Sequence, residues 1–318
     1  MDQPAATPPH LAWGADALWQ ALQPVLPGVS VEVVARVDST NTRLLELARA
    51  AGGDRQAPIT RPGELDAPGA RGHAHTPLGR RAADLLPCLL VAEEQTAGRG
   101  RLGRDWVSHP GRSLTFSLAL PLAPAQWGGL SLAVGVALAE ALEPSPAAPA
   151  TPPRLALKWP NDLWLRDTAA PAGGRKLGGI LIETVAVGSR RMAVIGVGLN
   201  VLPLPAAPAA MAGPALAHGH ACLQELDTAA SAPAALAAVA LPLARAVRRF
   251  EAEGLAPFLP GFAARDLLRG QAVRISGGTA LEGVADGIDA QGALRVLPAD
   301  DGPCQLVGSG EASVRLAA

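Results

Sequence analysis

The chain has 318 residues, 49% of them hydrophobic, which is enough for a sizeable core and longer than one small domain usually runs. A formal net charge of −1 offers no bulk attraction to nucleic acid or to an anionic membrane surface, so neither is expected as a partner. The three cysteines, Cys88, Cys222 and Cys304, are odd in number and far apart; they argue against a disulfide framework or a zinc cluster and fit a reducing, cytoplasmic setting.

Taken in order, Met1-Asp2-Gln3-Pro4 lacks the basic patch and apolar run of a signal peptide. Trp13–Leu22 reads as a short helix within an N-terminal extension over 1–28, and Val29–Val37 as a strand. Asp38-Ser39-Thr40-Asn41 then opens a helix to about Ala50, where Ser39 or Asp38 can cap the free amides of the first turn. Hydroxyls and spare amides at such a helix start can equally grip a polar ligand head. Residues 52–86 are Gly, Pro, Arg, His and Asp without apolar period, and read as an exposed, disordered insertion. His73 and His75 within it read as solvated rather than as metal ligands.

The apolar run Leu86–Ala92 is a predicted strand leading into Gln95-Thr96-Ala97-Gly98-Arg99-Gly100-Arg101-Leu102-Gly103-Arg104-Asp105-Trp106. Glycine lets a ligand approach the backbone, arginine brings a planar fork of donors, and the indole can cover something flat. The loop therefore suits an anion. Gly98-x-Gly100-x-x-Gly103 fits the dinucleotide fingerprint in spacing, but that motif needs a helix directly after the last glycine. Here Pro110 and Gly111 break any helix and Ser113–Leu120 reads as a strand. The P-loop pattern fails too, because Asp105 cannot supply the hydroxyl that ligates magnesium.

The uncharged stretch Ser113 to Ala139 is long enough to span a bilayer. Pro121, Pro124, Gln126 and Gly128-Gly129 interrupt it, so it reads as a strand, a turn and a buried helix Trp127–Leu142, with no transmembrane segment. Leu155–Leu165 contains Lys158-Trp159-Pro160-Asn161-Asp162, where Pro160 ends ladder bonding and puts Asn161 and Asp162 at a turn. They form either a plain Asx turn or part of a site, in which Asp162 holds magnesium or accepts a proton. Lys176 leads the strand Leu177–Val187, which pairs with Arg191–Val201 through Gly188-Ser189. Gly196-Val197-Gly198 allows close backbone approach, and Asn200 can donate and accept in one plane. Residues 202–218 read as a Pro/Ala loop, and Ala234–Glu253 as an amphipathic helix. Val273–Ile275, Leu281–Ile288, Ala293–Val296, Cys304–Val307 and Ala312–Leu316 are short strands in a pattern that suggests a small barrel.

Four ordered stretches, completed by a fifth, carry a resemblance. Glu94-Gln95-Thr96-Ala97-Gly98-Arg99-Gly100-Arg101-x-Gly103-Arg104-x-Trp106 resembles the signature of the biotin–protein ligases. Asp38-Ser39-Thr40-Asn41, Lys158-Trp159-Pro160-Asn161-Asp162-Leu163 and Lys176-Leu177-Gly178-Gly179-Ile180-Leu181-Ile182-Glu183 resemble its other motifs, and Gly196-Val197-Gly198-Leu199-Asn200-Val201 completes the set. The likeness covers roughly residues 30–316.

The resemblance implies an α+β fold: a mixed-sheet catalytic domain over 29–266, packed with helices, and an SH3-like C-terminal domain over 267–318. It implies a ligase that activates biotin with ATP and magnesium to biotinyl-adenylate, then biotinylates a lysine of a biotin carboxyl carrier domain of a carboxylase. By the same resemblance Ser39, Thr40, Asn41, Gln95, Arg99, Gly100, Arg101, Lys176 and Gly179 would contact biotin or its acyl phosphate. Arg101, Arg104, Trp106, Asn161, Lys176 and Asn200 would hold ATP. Arg99, Arg101, Lys176 and Asp162 are the catalytic candidates, with Asp162 also the one candidate magnesium ligand. The arginine loop is expected to order over the adenylate. The stretch before Asp38 is short and not basic, which resembles the ligase-only form, a monomer or weak homodimer. A lipoate–protein ligase and a biotin-responsive repressor are the competing readings.

Overall fold

The computed structural model describes residues 11–53, 59–62, 85–144, 152–170, 173–204, 219–276, 280–300, 302–310 and 312–316. Alternation along the central strands gives one sheet two unlike faces. Its strands are β1 (Ser30–Val37), β2 (Ile59–Thr60), β3 (Cys88–Gln95), β6 (Ser113–Pro121), β7 (Leu155–Lys158), β8 (Asp162–Arg166), β9 (Gly174–Val187) and β10 (Arg190–Asn200). The spatial order is β1-β3-β6-β10-β9-β8-β7, with β2 on β9. Only the β1–β3 pair in that sheet is parallel, so the sheet is mixed, as expected.

Two helices cover one face. α3 (Leu130–Leu142) and α4 (Ala232–Glu253) pack Val134, Leu138, Leu236 and Leu243 against Phe116, Leu118, Ile195 and Val197 in the main core. α1 (Ala15–Leu22) joins the same core through Leu18 and Leu22. The opposite face carries α2 (Thr40–Gly52), whose Leu44, Leu45 and Ala48 cover Leu90, Ala119, Val185 and Val194. Residues two apart on a strand share a face. Following the α2 face along each strand, apolar residues give way to Ser117 and Thr115 on β6, Gly196 and Gly198 on β10, and Glu183 and Gly179 on β9. The register sets Gly196 between Ser117 and Leu181, and Gly198 between Thr115 and Gly179. A small, polar floor is thus left beside the helix start.

The second sheet consists of β11 (Ala272–Ser276), β12 (Leu281–Ile288), β13 (Leu294–Pro298), β14 (Gln305–Val307) and β15 (Ser313–Leu316), and follows a fifth short helix, α5 (Leu259–Arg265). It is antiparallel throughout, in the order β14-β13-β12-β11-β15, and is of the SH3-like kind expected. Its Val273, Ile275, Leu294 and Val296 belong to the main core. Trp159 Nε1 donates to Gly292 O at 2.9 Å and Lys158 Nζ to Val314 O at 2.8 Å, which fixes this sheet beside the strands β7 and β8.

Several boundaries differ from the sequence reading for local reasons. α3 starts at Leu130 rather than Trp127, because Gly129 takes the left-handed conformation (φ 82°) as its N-cap. α4 starts at Ala232, since Ser231 caps it by accepting from Ala234 N at 3.4 Å. β9 begins at Gly174, so Lys176 lies inside the strand, paired with Trp164 next to a register shift in β8. Asp162 is the first residue of β8 rather than part of the turn. Within the expected insertion Ile59–Thr60 form β2, while His73 and His75 lie outside the described residues. Among the described residues no helix is long and apolar enough to cross a membrane.

Candidate functional site

The start of α2 meets the polar floor in a continuous hydrogen-bonded chain. Ser39 caps the helix, accepting from Thr42 N at 3.4 Å, and Asp38 Oδ1 accepts from Ser39 N at 2.6 Å. Gln95 Oε1 accepts from Thr40 N at 2.8 Å and lies 3.0 Å from the Thr40 hydroxyl. Ser117 Oγ is 2.6 Å from Thr40 Oγ1 and 2.7 Å from Asn41 Oδ1. Ser117 has one proton to give and Asn41 Oδ1 has none, so the Ser117 hydroxyl donates to Asn41. Asn41 Nδ2 donates in turn to Leu181 O at 3.2 Å and to Glu183 Oε2 at 2.9 Å. Ser39, Thr40, Asn41, Ser117 and Glu183 are all buried. Gly196 makes room for this: a Cβ there would lie 2.3 Å from Asn41 Oδ1.

The arginine loop is a miniature hairpin, as its lack of a following helix required. β4 (Gly98–Arg99) pairs with β5 (Asp105–Trp106), Gly98 opposite Trp106, around a turn of 3-10 helix at Arg101–Gly103. Leu102 and Gly103 are both left-handed at φ 56° and 70°. A Cβ at Gly98 would stand 2.3 Å from Trp106 O, so glycine is what lets the hairpin close. Arg99 turns back to the floor and pairs with Glu183 at 2.9 Å. Arg101 reaches Asn161 Oδ1 at 3.2 Å and donates to the carbonyls of Ser309 and Gly310, bridging to the second sheet. Arg104 is exposed and reaches Ser313 Oγ at 3.1 Å. The indole of Trp106 lies on Gly198, where a Cβ would approach its ring to 2.5 Å. Its Nε1 is buried without a hydrogen-bond partner, a donor available to something bound.

Beyond Gly198 the floor becomes cationic. Lys176 Nζ donates to Asp162 Oδ1 at 2.8 Å. A Cβ on Gly179 would sit 3.4 Å from Asp162 Oδ1 and 3.5 Å from Lys176 Nζ, so the bare backbone of Gly179 keeps both heads accessible. Burial alone would raise the Asp162 carboxyl, but Lys176 and Lys158 beside it, with Arg101, outweigh this and hold it below its usual range. Burial also lowers the Lys158 ammonium and brings the Arg101 guanidinium down to about 10. Asn161 Nδ2 donates to Ile180 O at 2.7 Å, which leaves its Oδ1 to Arg101. Asn200 is buried and donates to Ala221 O at 3.1 Å, anchoring the chain next to His220. Burial, then Lys176, lowers the His220 imidazole.

The fourteen candidate site residues of the sequence reading lie on the start of α2, on the strands of this floor, or on the arginine hairpin and the Asn161 turn beside it, with Arg104 and Asn200 at the margins. The sequence reading missed Ser117, Glu183, Lys158 and the Ser309–Gly310 carbonyls. Lys158 and Glu183 stood inside recognised motifs, and a charge inside an otherwise apolar strand was the available signal. As for magnesium, no group of three His, Cys, Asp or Glu side chains is gathered among the described residues. The Asp162 carboxylate is engaged by Lys176 and that of Glu183 by Arg99, so the side chains do not form a protein cage for magnesium.

Comparison with known proteins agrees with this layout. The biotin/lipoate A/B protein ligase family pattern matches residues 87–200. The bifunctional ligase/repressor BirA of Escherichia coli (strain K12) is 34% identical over 296 residues, covering 92% of this chain and 76% of that protein. The biotin–[acetyl-CoA-carboxylase] ligase of Paracoccus denitrificans is 33% identical over 274 residues, covering 82% of this chain and 92% of its own. The structure of the biotin protein ligase from Aquifex aeolicus in complex with biotin and ATP aligns with a TM-score of 0.62 at 24% identity, covering 90% of this chain and 99% of that one, a likeness of fold. Together with the four ordered motifs, these relatives show that the chain belongs to the biotin/lipoate A/B protein ligase family and is a ligase of its biotin–protein ligase branch.

Proposed function

We propose that the protein joins biotin to a lysine of a biotin carboxyl carrier domain in two steps at one site. In the first, a biotin carboxylate oxygen attacks the α-phosphorus of ATP; an O–P bond forms and pyrophosphate leaves. In the second, the neutral acceptor amine attacks the acyl carbon, the C–N bond forms, AMP leaves with the C–O electron pair, and the nitrogen gives up one proton to solvent. Both substrates of the first step are anions, so the site must neutralise and align them. In this reading the chain Gln95–Thr40–Ser117–Asn41 holds the uncharged polar head of biotin. Arg99, Gly100, Arg101, Lys176 and Gly179 take the acyl end.

Gly196 and Gly198 are two residues apart, roughly 7 Å along the strand. The head-group chain over Gly196 and the Lys176–Asp162 pair beside Gly179, opposite Gly198, are therefore one short acyl chain apart. That spacing of a neutral hydrogen-bonding end and a cationic end on one glycine-lined floor is the observation that carries the proposal. Trp106 covers the adenine side with a spare N–H; Asn161 and Asn200 set the backbone around it. Arg104 would join the nucleotide only after leaving Ser313. ATP brings magnesium on its phosphates, and no step is assigned to the ion.

Asp162 is held low and is a weak base, so its part is to orient Lys176 and receive a hydrogen bond from the incoming amine rather than to remove its proton. The catalytic unit is taken as 29–266 and the C-terminal unit as 267–318, with Arg101 linking them. Among competing acids lipoate is disfavoured, because its apolar dithiolane ring would displace water from the polar chain Thr40–Ser117–Asn41 and add no hydrogen bond to it. Calorimetric titration with biotin and with lipoate tests the assignment: biotin alone should bind measurably, and preference for lipoate would overturn it.

A further inference from the structure

Lys176 stands where the regular ladder gives way on both sides of β9. Toward β8, Leu163 pairs with Gly178 but Trp164 pairs with Lys176, so β9 carries an extra residue there. Residues three apart face opposite sides of a regular strand. The bulge turns both Lys176 and Gly179 to the floor, where a Cβ on Gly179 would come within 3.5 Å of Lys176 Nζ. Toward β10, pairing stops at Leu199 opposite Gly178. Beyond that point His220 and Ala221 take over as the neighbouring strand. His220 bridges to Lys176 in parallel, Ala221 N donates to Lys176 O at 2.8 Å, and Asn200 at the end of β10 donates to Ala221 O at 3.1 Å.

Arg175 ties this replacement strand down. Its Nη1 donates to His220 O at 3.0 Å and to Glu225 Oε1 at 3.2 Å, its Nη2 to Glu225 Oε2 at 2.5 Å, and its Nε to Asp167 Oδ2 at 3.0 Å. The Glu225 carboxylate also accepts from Cys222 N at 3.0 Å, so one guanidinium holds both His220 and the turn that follows it. A planar fork of donors suits this task, because it can serve a carbonyl and two carboxylates at once. Burial alone would raise the Glu225 carboxyl, and the bonds from Arg175 and the Cys222 amide hold it low instead. Arg175 pairs with Leu165, which belongs to the main core on the other face of the sheet. It therefore reaches Lys176 through the backbone, not through the floor.

We propose that Arg175 is a positioning residue for the adenylation step: by clamping His220 to Glu225 beside β9 it fixes the peptide of Lys176, and with it the place of the Lys176 ammonium. This rests on the ligase reading above, in which Lys176 serves the acyl end. The experiment measures kcat for biotin-dependent pyrophosphate release in the full chain, Arg175→Gln, Lys176→Ala and the double variant. Arg175→Gln should lower kcat about tenfold, the cost of a small misplacement of a charge at the reacting centre. In the Lys176→Ala background the same change should cost nothing further, because a residue that acts through Lys176 then has nothing left to position. Glu225→Gln keeps an acceptor for Cys222 N but removes the charge that Arg175 grips. It should reproduce both results, and it serves as the measurement, alone and with Lys176→Ala, if Arg175→Gln does not fold. A wild-type kcat in folded Arg175→Gln, beside an impaired Lys176→Ala, would overturn the assignment of Arg175 alone. An equal loss in both backgrounds would overturn it in favour of a structural role. A wild type without biotin-dependent release, or Lys176→Ala as active as wild type, would overturn the reading of the site on which the proposal rests, and the proposal with it.

Discussion

Arg99 and Glu183 form an ion pair of 2.9 Å across the floor of the site, with the Glu183 side chain 4% exposed and that of Arg99 41%. The same Glu183 oxygen accepts from Asn41 Nδ2. Glu183 thereby orients both the Asn41 amide and the Arg99 guanidinium, which in the proposed reading face the ligand head and its acid end. Glu183→Ala leaves a buried amide proton of Asn41 without this acceptor, a loss of about 2 kcal/mol. For a chain of this size that corresponds to a fall in Tm of roughly 4 °C. Biotin affinity should fall at least tenfold as Asn41 loses its orientation. Thermal unfolding and calorimetry check both; an unchanged biotin affinity would show that the pair does not organise the site.

Gly196 is fixed by space rather than by backbone angle. An alanine methyl there meets Asn41 Oδ1 at 2.3 Å and must push the Asn41–Ser117 contact apart. Overpacking of this kind costs about 1–3 kcal/mol, so biotin binding to Gly196→Ala should weaken roughly 10- to 100-fold. Gly198→Ala meets the Trp106 ring instead, at 2.5 Å, and should raise KM for ATP more than KM for biotin. If both variants affected the two substrates alike, the division of the floor into a head-group end and a nucleotide end would be wrong.

The outline of the fold and most of the candidate site were legible in the sequence because their signals are local. Strand alternation, the Gly/Arg hairpin, the helix start at Ser39 and the Lys176-Leu177-Gly178-Gly179 strand each declare themselves within a dozen residues. What was not legible depends on register across long loops. Ser117 is a plain serine in an apolar strand until β6 is set against β10 and Gly196 opposite it. Glu183 is a lone charge until α2 and the arginine hairpin bring Asn41 and Arg99 to it. The contact of Arg101 with Ser309 and Gly310 joins residues more than two hundred apart, which no local pattern can encode.

In the proposed reading Lys176 is the cation at the acyl end; its 2.8 Å pair with Asp162 fixes its position. A preorganised charge aimed at a developing oxyanion is worth about two to three orders of magnitude in rate. Lys176→Ala should therefore lower the biotin-dependent release of pyrophosphate at least 100-fold while leaving Tm within a few degrees. A variant that adenylates biotin at the wild-type rate would remove Lys176 from the chemistry.

Asp162 gives the folded protein an acid-side dependence of definite sign. Lys176 and Lys158 hold its carboxyl below the usual range despite burial, whereas in the unfolded chain it titrates normally. Unfolding then takes up a proton in acid. The stabilisation is complete above the unfolded value near about 3.9 and disappears as pH falls through the lowered folded value. Asp162→Asn lacks it. Unfolding curves of the two proteins should differ near neutral pH and converge once the solution is more acidic than the lowered folded value. A constant offset at every pH would mean that the carboxylate charge is not what the lysines stabilise.

The central claim is that one floor activates biotin and hands it to a protein lysine. It is tested most directly by pyrophosphate release from ATP and magnesium with and without biotin, followed by the mass of a biotin carrier domain added to the same mixture. The account predicts release that requires biotin and a carrier that gains one biotinyl group on one lysine. Release that ignores biotin, or no release at all, would contradict it.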